Sequence, residues 1–371
     1  MSDPPRPEAQ SSIASARGAG VRVVMLTGDQ INTASAIARE LELSDGDSAV
    51  HASELEGKEG AELQEILKHA AVFARVSPKD KFSIVKALQE SGEIVAVTGD
   101  GINDAPALKQ ADIGIAMGGR GTEVAKEASD IVLTDDNFAT IVKAIEGGRT
   151  IYANILRFVH MMFSHNLGEV LMIFFALVAG LPLPLLPLQI LWINLVTDVF
   201  PALALAVEPA TGNTMNRPPR PPGSRMLSGQ FLFLIGWQGL MLAAIALLAY
   251  LWALGVYGEG AHSRTIALMA LIGVQLGHFF NCRSRVRSVF SRPFSNLWIY
   301  AAAAMVVFLQ IAAVLWSPLA GVLGLTVPNL GDLLVIIGTV LLPIVIVEIT
   351  KVFVRRGLGK SAPQQGRTFR V

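Results

Sequence analysis

The sequence predicts two successive fold classes: an incomplete α/β domain built on a parallel sheet, then an all-α bundle of six transmembrane helices. Three observations predict it. Up to about Thr150 short apolar runs alternate with helix-prone segments, the pattern of a parallel sheet covered by helices. Beyond Ile151 the apolar runs are long enough to cross a bilayer. Between Thr98 and Lys109 an apolar strand ends in an acidic turn flanked by Gly99 and Gly101, where the backbone can bend tightly and approach a bound group. The 371 residues allow both parts. The formal net charge of zero averages two unlike halves and identifies no partner. The arginines after residue 215 cluster beside apolar spans, so a nucleic-acid footprint is absent. Cys282, the single cysteine, excludes an intrachain disulfide. Met1 to Gln10 is polar and proline-rich, without the apolar core of a signal peptide, so the first half is expected in the cytoplasm.

In the first half, Val21 to Leu26 reads as a buried strand ending in Thr27-Gly28-Asp29. Asn32 to Leu43 has helical spacing, and the polar stretch Ser44 to Gly60 carries no evident chemistry. Glu62 to His69 reads as a helix and Ala71 to Val76 as a strand. Pro78 opens a helix whose buried stripe is Ile84, Val85 and Leu88. The strand before Thr98 follows, then strands at Asp112–Met117 and Asp130–Leu133 separated by the helix-prone Thr122 to Ala128. Ligands of such sheets collect at the carboxyl ends of the strands. There Thr27 can offer a hydroxyl to a phosphoryl oxygen, Lys81 a compensating charge, and Asp100 with Asp104 a shared seat for Mg2+. Taken singly, each has a plainer role: Thr27 as a turn residue, Lys81 as a solvated helix charge, the aspartates as caps.

In the second half, an amphipathic segment from Phe138 to Arg149 runs unbroken into the first span, which ends before Gly180. Further spans are expected near Leu186–Val207, Gln230–Trp252, Thr265–Asn281, Leu297–Trp316 and Leu333–Val354. Arginines 217, 220 and 225 lie between spans two and three, and arginines 283, 285, 287 and 292 between four and five. Lys351, Arg355 and Arg356 come at the end of the sixth, so the positive-inside rule places both termini in the cytoplasm. Burying ionisable groups in hydrocarbon is costly, which makes those inside the spans informative. Asn166 and Glu169 share one helix face, and α-helical spacing puts Asn194, Thr197 and Asp198 on one face of the second span. Facing each other, they offer two carboxylates and several neutral oxygens, a shell for a dehydrated cation. Interhelical hydrogen bonding that only glues the bundle is the simpler alternative. His278, near a span end, could compensate for a neutral Gln275 in the shell, although a lone histidine there more often reads as a polar surface residue.

Thr27-Gly28-Asp29, then Ala74-Arg75-Val76-Ser77-Pro78-Lys79-Asp80-Lys81, then Thr98 through Lys109 resemble, in order, motifs of the P-type cation-transporting ATPases, a branch of the haloacid dehalogenase-like phosphotransferases. Ser164-His165-Asn166-Leu167-Gly168-Glu169 and Trp192 through Asp198 resemble membrane helices of their calcium-pump-like members. The resemblance runs from Asp3 to about Arg356 and weakens after Pro209. It implies catalytic roles for Thr27, Gly28, Asp29, Lys81 and Asn103, with Lys81 preferred to Lys79 by its spacing from Pro78. It also implies Mg2+ at Asp100 and Asp104, ATP as the substrate of the complete pump, and a transported cation at Asn166, Glu169, Asn194, Thr197 and Asp198. The family's acceptor aspartate, in Asp-Lys-Thr-Gly-Thr, is not found, because Asp80-Lys81 continues as Phe82-Ser83 on a helix. By resemblance that aspartate, the nucleotide domain and the first membrane helices precede Met1.

The implied organisation is a partial phosphorylation domain with the start of a stalk over 1–150, a six-span transport domain over 151–356, and a cytoplasmic tail over 357–371. The implied function is ATP-driven export of a cation, Ca2+ first, across the plasma membrane. A neutral Gln275, where two-ion calcium pumps place an acid, implies one ion per cycle. Lipid and the cation are the expected partners, together with a separate N-terminal half carrying the nucleophile. The alternatives are a non-catalytic truncated or split-subunit membrane protein, a pump for Mn2+, Na+ or H+, and a membrane-tethered phosphatase, which would need the same absent aspartate.

Overall fold

The computed structural model describes residues 5–43, 49–58, 60–210, 212, 214–221 and 223–361. Asp3 and Pro4, the segment Ser44 to Ser48 and the end of the expected tail (362–371) lie outside the described residues. The chain divides into two compact units, Met1–Thr150 with Ala210–Ser224 and Ile151–Pro209 with Arg225–Val371. The connection between the second and third spans therefore groups with the first unit.

The first unit runs α1 (Ala9–Gly18), β1 (Met25–Leu26), α2 (Ile31–Glu40), β2 (Ala49–His51), α3 (Ala61–His69), β3 (Val72–Ala74), α4 (Pro78–Glu90), β4 (Ala96–Gly99), α5 (Ala105–Gln110), β5 (Ile113–Met117), α6 (Glu123–Ala128) and β6 (Ile131–Leu133). Every strand pair is parallel, but the strands form two three-stranded sheets, β1-β3-β2 and β4-β5-β6, not one. Fully buried Val72, Phe73 and Ala74 make β3 the centre of the first sheet. Leu63, Leu67 and Ile84 from α3 and α4 pack on one side of it, and Ile13, Ala34 and Ala38 from α1 and α2 on the other. The predicted strand from Val21 shrinks to Met25–Leu26, because the Val21 N–H is claimed by the Ala16 carbonyl at the end of α1. The Arg22 side chain reaches the carbonyls of Leu67 and Ala70. Helix α1 and strand β2 are additions to the elements expected from sequence. After β6, Asp136 accepts the N–H groups of Gly119 (2.9 Å) and Arg120 (3.0 Å), and these bonds hold its carboxyl below the usual carboxylate range.

Helix α4 shows how local chemistry fixes a boundary. The Ser77 hydroxyl accepts the Asp80 N–H and the Asp80 carboxylate accepts the Ser77 N–H (2.9 Å), a reciprocal cap, with Pro78 in the first turn. Asp80 is thereby committed to its helix start.

The second unit begins within α7 (Phe138–Val178) and continues through α8 (Pro187–Ile193), a π-helical segment at Asn194–Asp198, α9 (Val199–Ala206), α10 (Gly229–Tyr257), α11 (Ala261–Cys282), α12 (Trp298–Leu315), α13 (Ser317–Leu323) and α14 (Leu330–Ser361). Six of these stretches are long and apolar enough to cross a membrane, counting α8 through α9 as one. Large side chains such as Phe174, Phe233, Phe308 and Leu334 point outward and exposed, as lipid contact requires. Helix α11 lies at the centre, buried at nearly every position from Ser263 to Cys282. Its approach to α14 depends on glycine: a Cβ on Gly277 would lie 2.0 Å from the Val340 carbonyl oxygen, and one on Gly273 2.4 Å from Thr339 Oγ1.

Several polar groups inside this unit are paired across helices. Arg283 contacts Glu208 (2.9 Å), Ser295 (2.7 Å) and backbone carbonyls, while Asn296 donates to Glu208 (2.8 Å) and Asn154 to the Glu208 carbonyl (2.9 Å). Glu208 and Arg283 are almost fully buried. Removing one partner strands the other charge, which costs about 3–5 kcal/mol, whereas removing both costs far less. Glu208→Ala should therefore lower the unfolding temperature in detergent much more than the double change Glu208→Leu/Arg283→Met; equal losses would show that the pair is not the source.

Candidate functional site

The polar residues singled out from the sequence fall in both units. In the first unit, Thr27-Gly28-Asp29 follows β1 and Asp100 follows β4, both at carboxyl ends. Each of these strands is the edge of its sheet, with one neighbour only among the described residues. The Thr27 backbone is fixed by its N–H to the Phe73 carbonyl (2.9 Å), while its carbonyl accepts the Val76 N–H (3.0 Å). Its hydroxyl donates to Asp29 Oδ2 at 2.9 Å and accepts the Asp29 N–H at 3.1 Å.

Lys81, in the first turn of α4, places Nζ 2.6 Å from Asp104 Oδ1. The other carboxylate oxygen of Asp104 accepts the N–H groups of Asp100 (3.2 Å) and Gly101 (3.1 Å). Asp104 is thus saturated and buried, a brace that holds the turn and Lys81 together. The Asp100 carboxylate is exposed, and Asn103 is exposed beside it. The two aspartates therefore differ: Asp100 has free oxygens suited to a hard cation, and Asp104 organises the loop behind it. Lys79 makes no contact of this kind among the described residues. No hydrogen bond links Thr27 or Asp29 to Lys81 or Asp104 among the described residues.

In the second unit, Asn166 and Glu169 lie on α7 and Asn194, Thr197 and Asp198 make up most of the π-helical segment. The segment is π-helical where sequence spacing assumes a regular α-helix. Pro201 offers no N–H to the Thr197 carbonyl four residues earlier, which loosens the ladder where the π turn forms. The Thr197 hydroxyl donates to the Ile193 carbonyl (2.9 Å). Glu169, 5% exposed, receives a hydrogen bond from Gln275 of α11 at 3.3 Å. Asp198 Oδ1 is buried without a hydrogen-bond partner; His165 Nδ1 is 3.8 Å away, and neither ring nitrogen of His165 has a partner. Asn166 and Asn194 are half-buried. Unsatisfied carboxylate oxygen inside an apolar bundle is costly without an ion or a proton, and several oxygen donors stand nearby in sequence.

Sequence reasoning missed His165 and misread His278. His278 is fully buried, its ring 5.4 Å from those of both His160 and His165, with its Nε2 2.8 Å from Gln238 Oε1. The signal that could have found this was spacing: His160 and His165 share a helix with Glu169, and His278 and Cys282 stand four apart on another.

Two sequence families match the chain: the one described as haloacid dehalogenase-like hydrolase over residues 1–112, and cation transporting ATPase, C-terminus, over residues 182–353. The chain is 46% identical over 352 residues to a calcium-transporting ATPase of Bacillus subtilis (strain 168), covering 92% of this chain and 38% of that protein. It is 45% identical over 319 residues to a probable cation-transporting ATPase F of Mycobacterium bovis (84% and 35%). It is 42% identical over 301 residues to the endoplasmic reticulum calcium ATPase srcA of Aspergillus fumigatus (80% and 30%). The chain spans well under half the length of these relatives.

Gly99 gives the acidic turn a direct test. A Cβ there would lie 2.4 Å from Asp104 Cβ, so Gly99→Ala must displace the brace. Hydrogen exchange at the Asp100 and Gly101 amides should accelerate roughly tenfold, the equivalent of one lost hydrogen bond. Unchanged protection would show that Asp104 does not hold the turn.

Proposed function

Because the chain belongs to the P-type cation-transporting ATPases, in the calcium-pump-like branch of the haloacid dehalogenase-like superfamily, we propose that it supplies the phosphate-handling edge and the cation path of an ATP-driven pump that exports Ca2+. The observation that carries this reading is the pair of acids inside the apolar bundle, Glu169 held by Gln275 and Asp198 left with an unsatisfied oxygen. Carboxylate and amide oxygens suit a hard divalent ion. Names of the relatives in Bacillus subtilis and Aspergillus fumigatus, both calcium transporters, favour Ca2+ over Mn2+, Na+ or H+. One acid from each of α7 and the π-helical segment, with Gln275 neutral, supports one ion per cycle.

In the first unit, Asp100 is the ligand for Mg2+, which neutralises charge on the transferring phosphoryl group when bound. Asp104 positions Asp100 and the Lys81 ammonium, and Asn103 borders the same turn. The Thr27 hydroxyl, on the Thr27-Gly28-Asp29 turn, would turn its proton from Asp29 Oδ2 to a phosphoryl oxygen. The acceptor is an aspartate on a strand from outside this sequence that pairs with the free edges of β1 and β4, and a separate N-terminal half is one source of it. A non-catalytic role as a lone membrane protein is the competing reading. The arginine-rich connections support both termini in the cytoplasm, the plasma membrane is the membrane proposed, and the domain limits at 150 and 356 follow the change from charged to apolar sequence.

Asp198→Ala, placed in a reconstituted full-length pump, should abolish Ca2+-dependent phosphoenzyme formation while phosphorylation from inorganic phosphate persists. Retained Ca2+ stimulation would remove Asp198 from the cation site. For the first unit, Lys81→Met should reduce phosphoenzyme formation by about two orders of magnitude, the scale of a lost charge-stabilising donor; Lys79→Met should leave it nearly unchanged.

A further inference from the structure

Away from the oxygen-rich residues, a second cluster of buried polar side chains joins three helices. His160 comes from α7, Gln238 from α10, and His278 with Cys282 from α11, one turn apart on the same face. All four are at most 3% exposed. One ring nitrogen of each histidine and the Cys282 sulfur lie within 4.8 Å of one another. The Nε2 atoms of His160 and His278 both point at Gln238 Oε1, at 2.5 and 2.8 Å, and the Cys282 sulfur stands 3.4 Å from His278 Nδ1 and 3.8 Å from its Nε2.

Hydrogen bonding among these groups does not satisfy them. If both imidazoles donate Nε2–H to the one amide oxygen, His160 Nδ1 is left as a buried acceptor with no partner. Such an orphan costs free energy that an apolar side chain of similar shape would avoid. Two imidazoles and a thiol converging within a few ångströms match the ligand set and spacing of a small metal centre, reached by slight side-chain adjustment.

We propose that His160, His278 and Cys282 bind a monovalent copper ion, with the Gln238 amide oxygen as a fourth, weaker donor. Thiolate and imidazole are soft ligands, and two histidines with one cysteine and a distant oxygen are a ligand set that selects copper. The hard cations suited to Glu169 and Asp198 prefer oxygen. Charge decides between copper and zinc. A thiolate with Cu+ is neutral, whereas Zn2+ leaves a net positive charge in an apolar bundle, where uncompensated charge is expensive. On binding, the sulfur–copper bond replaces the S–H bond and one proton leaves to solvent for each ion; copper stays Cu+ throughout. The bound ion ties α7 to α11, the two helices that carry Glu169 and Gln275.

The test uses the full chain in detergent under reducing conditions, titrated with Cu+ against a chromogenic Cu+ chelator. One ion per chain is expected, with one proton released. X-ray absorption at the copper edge should show one sulfur and two nitrogen neighbours. Cys282→Ser and His160→Gln should each weaken binding by tenfold or more, while His69→Gln, an exposed histidine on α3, should leave it unchanged. Absence of a copper–sulfur neighbour in the unmodified chain overturns the site without recourse to any variant. Affinity in Cys282→Ser equal to that of the parent does the same. Zn2+ that displaces Cu+ at equal concentration overturns the monovalent assignment.

Discussion

The structure of the second unit depends on one constraint: a polar group taken out of water into an apolar bundle has to find a partner there. The backbone meets it by staying helical almost throughout. The side chains meet it by reaching across helices, so that Arg283, Glu208, Asn296 and Asn154 form one network and Tyr257, His262 and Asn329 surround Asp332. These contacts set which helices are neighbours as firmly as the apolar packing around α11 does. Against that background the groups that fail the requirement stand out. Among them are Asp198 Oδ1, both nitrogens of His165 and His160 Nδ1, each buried without a hydrogen-bond partner.

The first unit obeys a different logic. Its two small sheets are held by helices on their faces, yet the strands that end at Thr27 and Asp100 are the sheet edges. In β4, Ala96 and Thr98 are exposed, and Ile94 just before it is 69% exposed, unusual for a strand that ends in the most distinctive turn of the chain. An edge of this kind offers a row of free N–H and C=O groups, a template for another strand. The Lys81–Asp104 brace keeps the acidic turn in shape without any further strand.

Much of this was legible in the sequence because it rests on period and punctuation. Alternating short runs gave the parallel strands, hydropathy gave six spans to within a few residues, and Pro78 gave the start of α4. What escaped depended on tertiary partners. The division into two sheets is a matter of which strands pair, which no single strand records. The π turn at Asn194–Asp198 follows from a missing donor at Pro201, visible only as a proline in the sequence, while its effect on side-chain direction is not. Histidine is ambiguous for the same reason: His278 near a span end looks like a surface residue until α7 and α10 are seen to close over it. The distinction between Asp100 and Asp104 likewise needed Lys81 in place.

The glycines of α11 carry a mechanical consequence. Where Gly277 meets the Val340 carbonyl there is no side chain to act as a spacer, so the two helix backbones are in direct apposition. Sliding α11 along α14 by one residue would bring Leu276 or His278 against that carbonyl, and rotation about its axis would do the same. The contact therefore resists a one-residue slip or a rotation of α11 on α14, and a rearrangement of the bundle that keeps this contact leaves the movement to the helices around the pair.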